Sequence, residues 1–235
     1  MGIREELSVK IAGEIVLSAE PSKTIKKWRK VFGISQVALA SNLEISPSVV
    51  SDYESGRRRS PGATLVKKLV NAFISEDERK GSRVLKAYER TDRGASLSSA
   101  VLDMREFPLP VKACEITRVI AGTALVNEEL LDKDIYGYTV LDSVKAILEL
   151  SSEEFLGIYG MTSERALIFT NVSMGRSPFV AIRVSTIKPG LVVLHGLKEV
   201  DPLGLKIAAK ERVPVVLSMA PTQKEMIQEL RRLAC

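Results

Sequence analysis

Apolar residues recur at helical spacing through the first third of this chain. Ile3, Leu7, Ile11 and Ile15 follow one another at steps of four, so they lie on one face of a helix predicted over residues 3–18. After the polar stretch 18–23, the pattern predicts four further short helices. These helices start near Thr24, after Ser35, after Ser46 and after Ser60.

Residues that end or start helices support these boundaries. Gly33 and Gly56 are placed to end the helices that precede them. The pair Ser46-Pro47 combines a capping serine with a proline in the first helical turn. The same combination recurs at Ser60-Pro61, where it predicts the start of the fourth short helix.

The segment that follows is predicted to lead from one domain to the next. Ser75 and Glu78 have the spacing of a capping box, so a charged helix is expected there, with Val84, Leu85 and Tyr88 as its apolar stripe. Residues 91–99 have the polar, glycine-containing composition of a hinge. We therefore expect a first domain over residues 1–75, a helical linker over 76–106 and a second domain over 107–235.

The rest of the chain alternates between strand and helix patterns. Short apolar and β-branched runs predict strands at 111–120, 165–172, 179–185, 190–196 and 213–219. Amphipathic or capped segments predict helices at 139–150, 201–211 and 222–234. The alternation over residues 191–234 is typical of an α/β domain with at least one parallel strand pair. The expected fold class is an all-α N-terminal domain followed by an α/β domain with a partly parallel sheet.

Positive charge is concentrated in one short segment. Residues 21–75 hold 10 Lys and Arg against 3 Asp and Glu, a net charge of +7, whereas residues 76–235 hold 22 of each. The net charge of the whole chain is +5. A neutral body with a compact basic region indicates a polyanionic partner for that region.

The basic segment also has the pattern of a helix-turn-helix. Ala40 is small where two helices must cross closely, and Leu43, Ile45 and Val50 are apolar where the helix pair packs on its neighbours. Through the stretch WRKVFGISQVALASNLEISPSVVSDYESG, the region from Lys26 to Phe73 resembles the lambda-repressor/Cro (XRE) class of DNA-binding domains. The wider chain, with its leader KIAGEIVLSAEPSK and its α/β tail, resembles a group of archaeal transcriptional regulators.

The resemblance implies where this domain meets double-stranded DNA. The third helix of the class lies in the major groove, which implies base contacts from Pro47, Ser48, Val49, Ser51 and Asp52. Phosphate contacts are implied for Gln36, Ser55, Arg57, Arg58, Arg59 and either Lys26 or Lys27. The base-contacting side chains are small, so direct readout is expected to be weak.

The same resemblance places Arg29 and Glu54 where the class has an ion pair between its first and third helices. Val50 and Tyr53 are expected in the core. The alternatives are a solvated loop for the three arginines and a helical bundle without a DNA role for the whole segment. The confinement of the positive charge favours DNA contact over both.

The C-terminal part offers scattered candidates for binding a small anionic ligand. Ser173, Arg176 and Ser177 stand in a glycine-containing turn, His195 follows a predicted strand, and Thr222 starts a predicted helix. An ordinary turn and an ordinary strand end are the alternatives. The strand-helix-strand pattern from residue 190 onward resembles regulatory modules of the DRTGG type. A sensor of a small-molecule effector, a dimerisation domain, and an enzyme or metabolite-binding domain fused to a DNA-binding head all stay open.

No catalytic set and no cluster of metal ligands stands out, so we expect no enzyme activity, no cofactor and no metal site. Cys114 and Cys235 are far apart and are expected to be free thiols in a reducing cytoplasm. The sequence shows no signal peptide and no membrane span. We therefore expect a cytoplasmic, sequence-preferring transcriptional regulator that forms a homodimer through residues beyond 75.

Overall fold

The chain divides into two units, residues 1–95 and 96–235. The computed structural model describes residues 2–92, 98–172 and 174–234. The first unit is helical, and the second carries a six-stranded mixed sheet with helices, so the predicted fold class is confirmed. Most of the predicted hinge at 91–99 lies outside the described residues.

Six helices build the described part of the N-terminal unit. They are α1 (Ile3–Leu17), α2 (Pro21–Val31), α3 (Gln36–Leu43), α4 (Pro47–Glu54), α5 (Ala63–Arg79) and α6 (Arg83–Asp92). Leu7, Ile11 and Ile15 are fully buried, so the predicted apolar face of α1 is confirmed. This face packs against α2, α5 and α6. The core also contains the stacked rings of Phe32 and Phe73, with centroids 5.5 Å apart.

The second half of this unit differs from the prediction. Helix α5 starts after a cap at Gly62 rather than at Ser60-Pro61, and it continues to Arg79, so Ser75 lies inside a helix and caps nothing. The cap of the next helix is Asp77, whose carboxylate accepts hydrogen bonds from the Val84 and Leu85 backbone amides at 3.0 Å.

Helix α6 therefore belongs to the N-terminal unit. Val84, Leu85 and Ala87 are buried, and α6 packs on α1 and α5. The apolar side chains that the sequence predicts for a linker helix pack inside this unit. It is not a free surface for pairing two chains.

The C-terminal unit alternates strands and helices. Its strands are β1 (Val101–Lys112), β2 (Thr123–Val126), β3 (Asp134–Asp142), β4 (Ala166–Thr170), β5 (Leu191–His195) and β6 (Val215–Ser218). Its helices are α7 (Ala113–Val119), α8 (Ser143–Glu149), α9 (Ser152–Gly157), α10 (Arg176–Val184), α11 (Pro202–Glu211) and α12 (Gln223–Arg232), with a 3-10 turn at Glu128–Leu130.

The sheet has the order β1-β3-β4-β5-β6-β2. Strands β3 to β6 are parallel neighbours, while β1 and β2 pair antiparallel at the two edges. Helices α7 and α12 pack on one face of the sheet, and α10 and α11 pack on the other. Both faces are covered, which explains why the central strands are almost continuously apolar.

Three sequence predictions in this unit are wrong. Residues 111–120 end β1 and form α7, because Ala113, Ile116 and Ile120 follow helical spacing toward the sheet. Residues 139–150 begin as strand β3 and become helix only after Asp142. Residues 179–184 belong to α10 and Ser185 is its C-cap, because two parallel neighbours such as β4 and β5 require a crossover that a helix supplies. The strands at β4, β5 and β6 and the helices α11 and α12 are confirmed.

Cys114 is an exposed free thiol, as predicted, and Cys235 lies outside the described residues. No helix in the described part of the chain has the length and apolar character that crossing a membrane requires.

Candidate nucleic-acid interface

Helices α3 and α4 pack against each other and against other helices of the N-terminal unit. Ala40, Leu43 and Val50 are buried, as the sequence predicts for the crossing point and the packed face. Ser35 caps α3 by accepting a hydrogen bond from the Ala38 backbone amide at 3.1 Å. Glu44 has a φ of +57° in the turn between the two helices, a left-handed conformation that ends α3.

The start of α4 is exposed to solvent. Pro47 stands at the first helical position, and Ser46 takes the N-cap position without a side-chain cap bond. The Ser46 hydroxyl instead lies 2.7 Å from that of Ser48.

The predicted base-contacting residues are all accessible to some degree. Pro47 and Ser48 are exposed, and Val49, Ser51 and Asp52 are half-buried. The neighbouring side chain of Val50 is in the core instead. The arrangement leaves one side of the N-terminal half of α4 free to approach a groove.

The arginine-rich loop after α4 is held close to that helix. Arg57 Nε donates to Asp52 Oδ1 at 2.7 Å, and the Arg58 guanidinium lies 5.6 Å from the centroid of the Tyr53 ring. Arg59 is exposed. Gly56, with a φ of +78°, makes the turn that leads the chain from α4 into this loop. Sequence reasoning missed the Asp52–Arg57 pairing, which joins a predicted base reader to a predicted phosphate contact.

The other predicted phosphate contacts divide into accessible and buried groups. Ser55 and Lys26 are exposed, and Gln36 is half-buried at the start of α3. Lys27 is only 2% exposed, and its ammonium donates to Glu14 at 2.8 Å. The assignment of Lys27 to a phosphate is therefore wrong for this structure, because its charge is already paired inside the unit.

A buried ion pair ties α2 to α4. Arg29 donates two hydrogen bonds to the Glu54 carboxylate, at 2.5 and 2.8 Å, and a third to the Ile34 carbonyl. The amide of Gln36 adds a fourth bond, to Glu54 Oε2 at 2.8 Å. The predicted pair of Arg29 and Glu54 is confirmed, and it holds three helices in register. Gln36 uses one of its two side-chain N–H donors in this network, so its other N–H and the backbone amides of the first turn of α3 are its means of meeting a phosphate.

Comparison with known proteins agrees with this geometry. Residues 25–76 match the helix-turn-helix domain family. An HTH-type transcriptional regulator of Methanocaldococcus jannaschii is 45% identical over 232 residues, which span 97% of this chain and 95% of that protein. A second, from Archaeoglobus fulgidus, is 48% identical over 225 residues, 95% of each chain. The chain belongs to the HTH-type transcriptional regulators.

Among solved structures, the CBS and DRTGG domains of the regulatory region of Clostridium perfringens pyrophosphatase, complexed with diadenosine tetraphosphate, match with a TM-score of 0.32 and 15% identity. That match covers 49% of this chain and 45% of the other. A likeness this low does not show that the two proteins share a fold or a ligand.

The predicted anion-binding residues of this regulator follow the carboxyl ends of the parallel strands β4, β5 and β6, and three of the described ones have partners within the fold. Ser173 lies outside the described residues. Arg176 is paired with Asp201 at 2.5 Å, and this hydrogen bond lowers the pKa of the Asp201 carboxyl below its usual value. Thr222 accepts a hydrogen bond from the Glu225 backbone amide, so it serves as the cap of α12.

His195 stands at the end of β5, where its Nδ1 lies 3.4 Å from the Ser218 hydroxyl. Burial lowers the pKa of His195, which favours the neutral ring. Ser177 is exposed in the first turn of α10. In the described part of the chain, no group of three or more His, Cys, Asp and Glu residues is arranged to hold a metal ion.

Proposed function

We propose that this regulator binds double-stranded DNA with a sequence preference, with α4 in the major groove and the arginine loop on the phosphate backbone. The observation that carries the proposal is the position of Arg57, Arg58 and Arg59 directly after the accessible face of α4. The net charge of +7 on residues 21–75 supports it, because backbone contacts need cations.

The pair of Asp52 and Arg57 acts as a local switch in this proposal. The Arg57 side chain is 68% exposed, so it is free to turn toward a phosphate. The Asp52 carboxylate is then released to accept a hydrogen bond from a cytosine amino group. Ser48 adds a small donor or acceptor one turn away.

The experiment is to select preferred sequences from a random DNA library and then to measure binding of Ser48→Ala and Asp52→Ala to preferred and random DNA. We expect each change to weaken binding to preferred DNA by about 5- to 10-fold, since a base contact is worth roughly 1–3 kcal/mol and these side chains are small. Affinity for random DNA should change less than about twofold, because phosphate contacts dominate there.

Ser75→Ala and Glu78→Ala are matched controls. Ser75 is an exposed serine of α5, and Glu78 forms an exposed ion pair with Arg4. Neither control should change the sequence preference. An equal loss of affinity on preferred and random DNA in the α4 variants would place Ser48 and Asp52 off the bases.

We also propose that two copies bind together through the C-terminal unit. One helix-turn-helix covers few base pairs, and pairing raises the effective concentration of the second head at its half-site. Val144 and Leu148 on α8 and Val180 on α10 are 52%, 78% and 47% exposed, and they offer apolar surface for the partner. The zero net charge of residues 76–235 removes long-range repulsion between copies.

A further inference from the structure

The turn that joins α2 to α3, residues 31–35, is held by cations from the end of α5 and the start of α6. Arg83, the first residue of α6, donates a hydrogen bond from Nη2 to the Val31 carbonyl at 2.7 Å. Lys80, the C-cap of α5, places its Nζ 3.4 Å from the Gly33 carbonyl. Carbonyls at the C-terminal end of a helix carry partial negative charge and lack partners within the helix, so cations are favourable there.

Other contacts hold the same turn from the side of the core. Arg29 Nη1 donates to the Ile34 carbonyl at 2.8 Å, and the same guanidinium is paired with Glu54 at the end of α4. The ring of Phe32 is buried and stacks on that of Phe73 in α5. The turn is therefore fixed relative to both α4 and α5.

The position of this turn matters for DNA, because the turn leads directly into the first turn of α3. Ser35 is the N-cap of α3, and Gln36 is its first residue. The backbone amides that follow are the groups available to meet a phosphate. A hydrogen bond from such an amide needs a donor–acceptor distance of about 2.7–3.2 Å, so a small shift of the turn weakens the contact.

The support for the turn comes from outside the segment that matches the helix-turn-helix family. That match covers residues 25–76, and Lys80 and Arg83 follow it. A cation in the first turn of a helix is unfavourable for that helix itself, so the place of Arg83 is better explained by its contact with α2. Asp77 fixes the start of α6 beside it, by accepting hydrogen bonds from the Val84 backbone amide.

We propose that Arg83, assisted by Lys80, is a positioning residue for DNA binding. It sets the first turn of α3 through the turn at 31–35 and does not itself touch DNA. The inference rests on the proposed DNA-binding function. Without the Arg83 hydrogen bond, the turn leaves its binding-competent position for part of the time, and the apparent affinity falls with the fraction of molecules that stay competent.

The experiment compares Arg83→Met with the wild-type full-length protein in DNA titrations at several salt concentrations. The temperature is one at which circular dichroism shows both proteins to be folded. We expect binding to preferred and random DNA to weaken about three- to tenfold, in line with the loss of one hydrogen bond. The slope of log affinity against log salt should stay unchanged, whereas loss of a direct phosphate contact would reduce it by about 0.9.

Nuclear magnetic resonance of the DNA-free protein gives a second readout. The backbone amide signals of Gln36 and Val37 should shift in Arg83→Met, because the first turn of α3 changes its position. Lys86→Met is the matched control, since it removes the same charge from an exposed position on the same helix. It should leave these signals in place and change DNA affinity less than about twofold.

The double variant Lys80→Met/Arg83→Met should weaken DNA binding further than Arg83→Met alone. Unchanged affinity or unshifted amide signals in Arg83→Met, or an equal loss in Lys86→Met, would overturn the positioning role. A reduced salt slope would do so too, because it would make Arg83 a direct phosphate contact. These results leave the DNA-binding proposal intact, and that proposal fails only if the wild-type protein does not bind DNA.

Discussion

Arg29 and Glu54 show how two residues fix the geometry of the DNA-binding helices. Their side chains are 7% and 3% exposed, and two hydrogen bonds join them. A buried pair contributes little net stability when intact, but breaking it leaves a buried charge without compensation. The network therefore serves mainly to hold α2, α3 and α4 in one arrangement.

Arg29→Ala should lower the free energy of unfolding of the N-terminal unit by about 3–5 kcal/mol, because Glu54 stays buried without its partner. Arg57→Ala is the matched control, since it breaks an exposed pair and should cost less than about 1 kcal/mol. Denaturant unfolding followed by circular dichroism measures both. Equal, small decreases in the two variants would mean that the Arg29–Glu54 pair is superficial.

At the scale of elements, the loop after α4 carries positive charge on a short segment beside that helix. Three consecutive arginines follow a helix that ends in the left-handed turn at Gly56. Interactions with Asp52 and Tyr53 hold two of the arginines beside the helix that is proposed to read DNA. The loop and the helix thus form one surface.

Replacing Arg57, Arg58 and Arg59 together by alanine should weaken binding to all DNA sequences. It should also reduce the slope of log affinity against log salt by about 0.9 for each phosphate that the variant no longer neutralises, since fewer counterions are released. Titrations at several salt concentrations measure the slope.

The matched control replaces Lys198, Lys206 and Lys210, which are exposed in the C-terminal unit, and removes the same net charge. It should leave the slope unchanged. If both triple variants change affinity and slope equally, the loop acts through general charge and does not touch the phosphates directly.

At the scale of the whole molecule, assembly is the property that the DNA-binding proposal depends on most. Half-sites of this class lie about one helical turn, roughly 34 Å, apart, so two heads must be linked to engage both. The buried stripe of α6 cannot serve this purpose, because Val84 and Leu85 pack inside the N-terminal unit. The exposed apolar residues of α8 and α10 remain as the proposed interface.

Equilibrium sedimentation should show the full chain as a dimer and a fragment of residues 1–95 as a monomer. Ser substitutions at Val144 and Leu148 should shift the full chain toward monomer, while Leu203→Ser, an exposed residue of α11, should not. A monomeric full chain, or a fragment that dimerises equally well, would contradict the proposal.

The helices of the N-terminal unit, and the expectation that this unit contacts DNA, could be predicted from the amino-acid sequence. Helix spacing, the cap at Ser35 and the proline at Pro47 are local features, and the structure confirms each of them. The pair of Arg29 and Glu54 joins residues far apart in the chain, and it is implied by the family resemblance. The charge on residues 21–75 is equally visible without coordinates. Local spacing is sufficient here because each short helix buries one face against its sequence neighbours.

The C-terminal half depends on packing between distant parts of the chain. Residues 179–185 are apolar and β-branched enough for a strand, yet all but Ser185 lie in α10, because β4 and β5 are parallel and need a crossover. Residues 139–150 change from strand to helix at Asp142, where a buried carboxylate caps α8.

The same holds for the burial of Lys27 beside Glu14 and for the pairing of Arg176 with Asp201. Each depends on a residue in another element of the fold. Residue spacing along the sequence does not predict such contacts, because long-range packing decides which side chains meet.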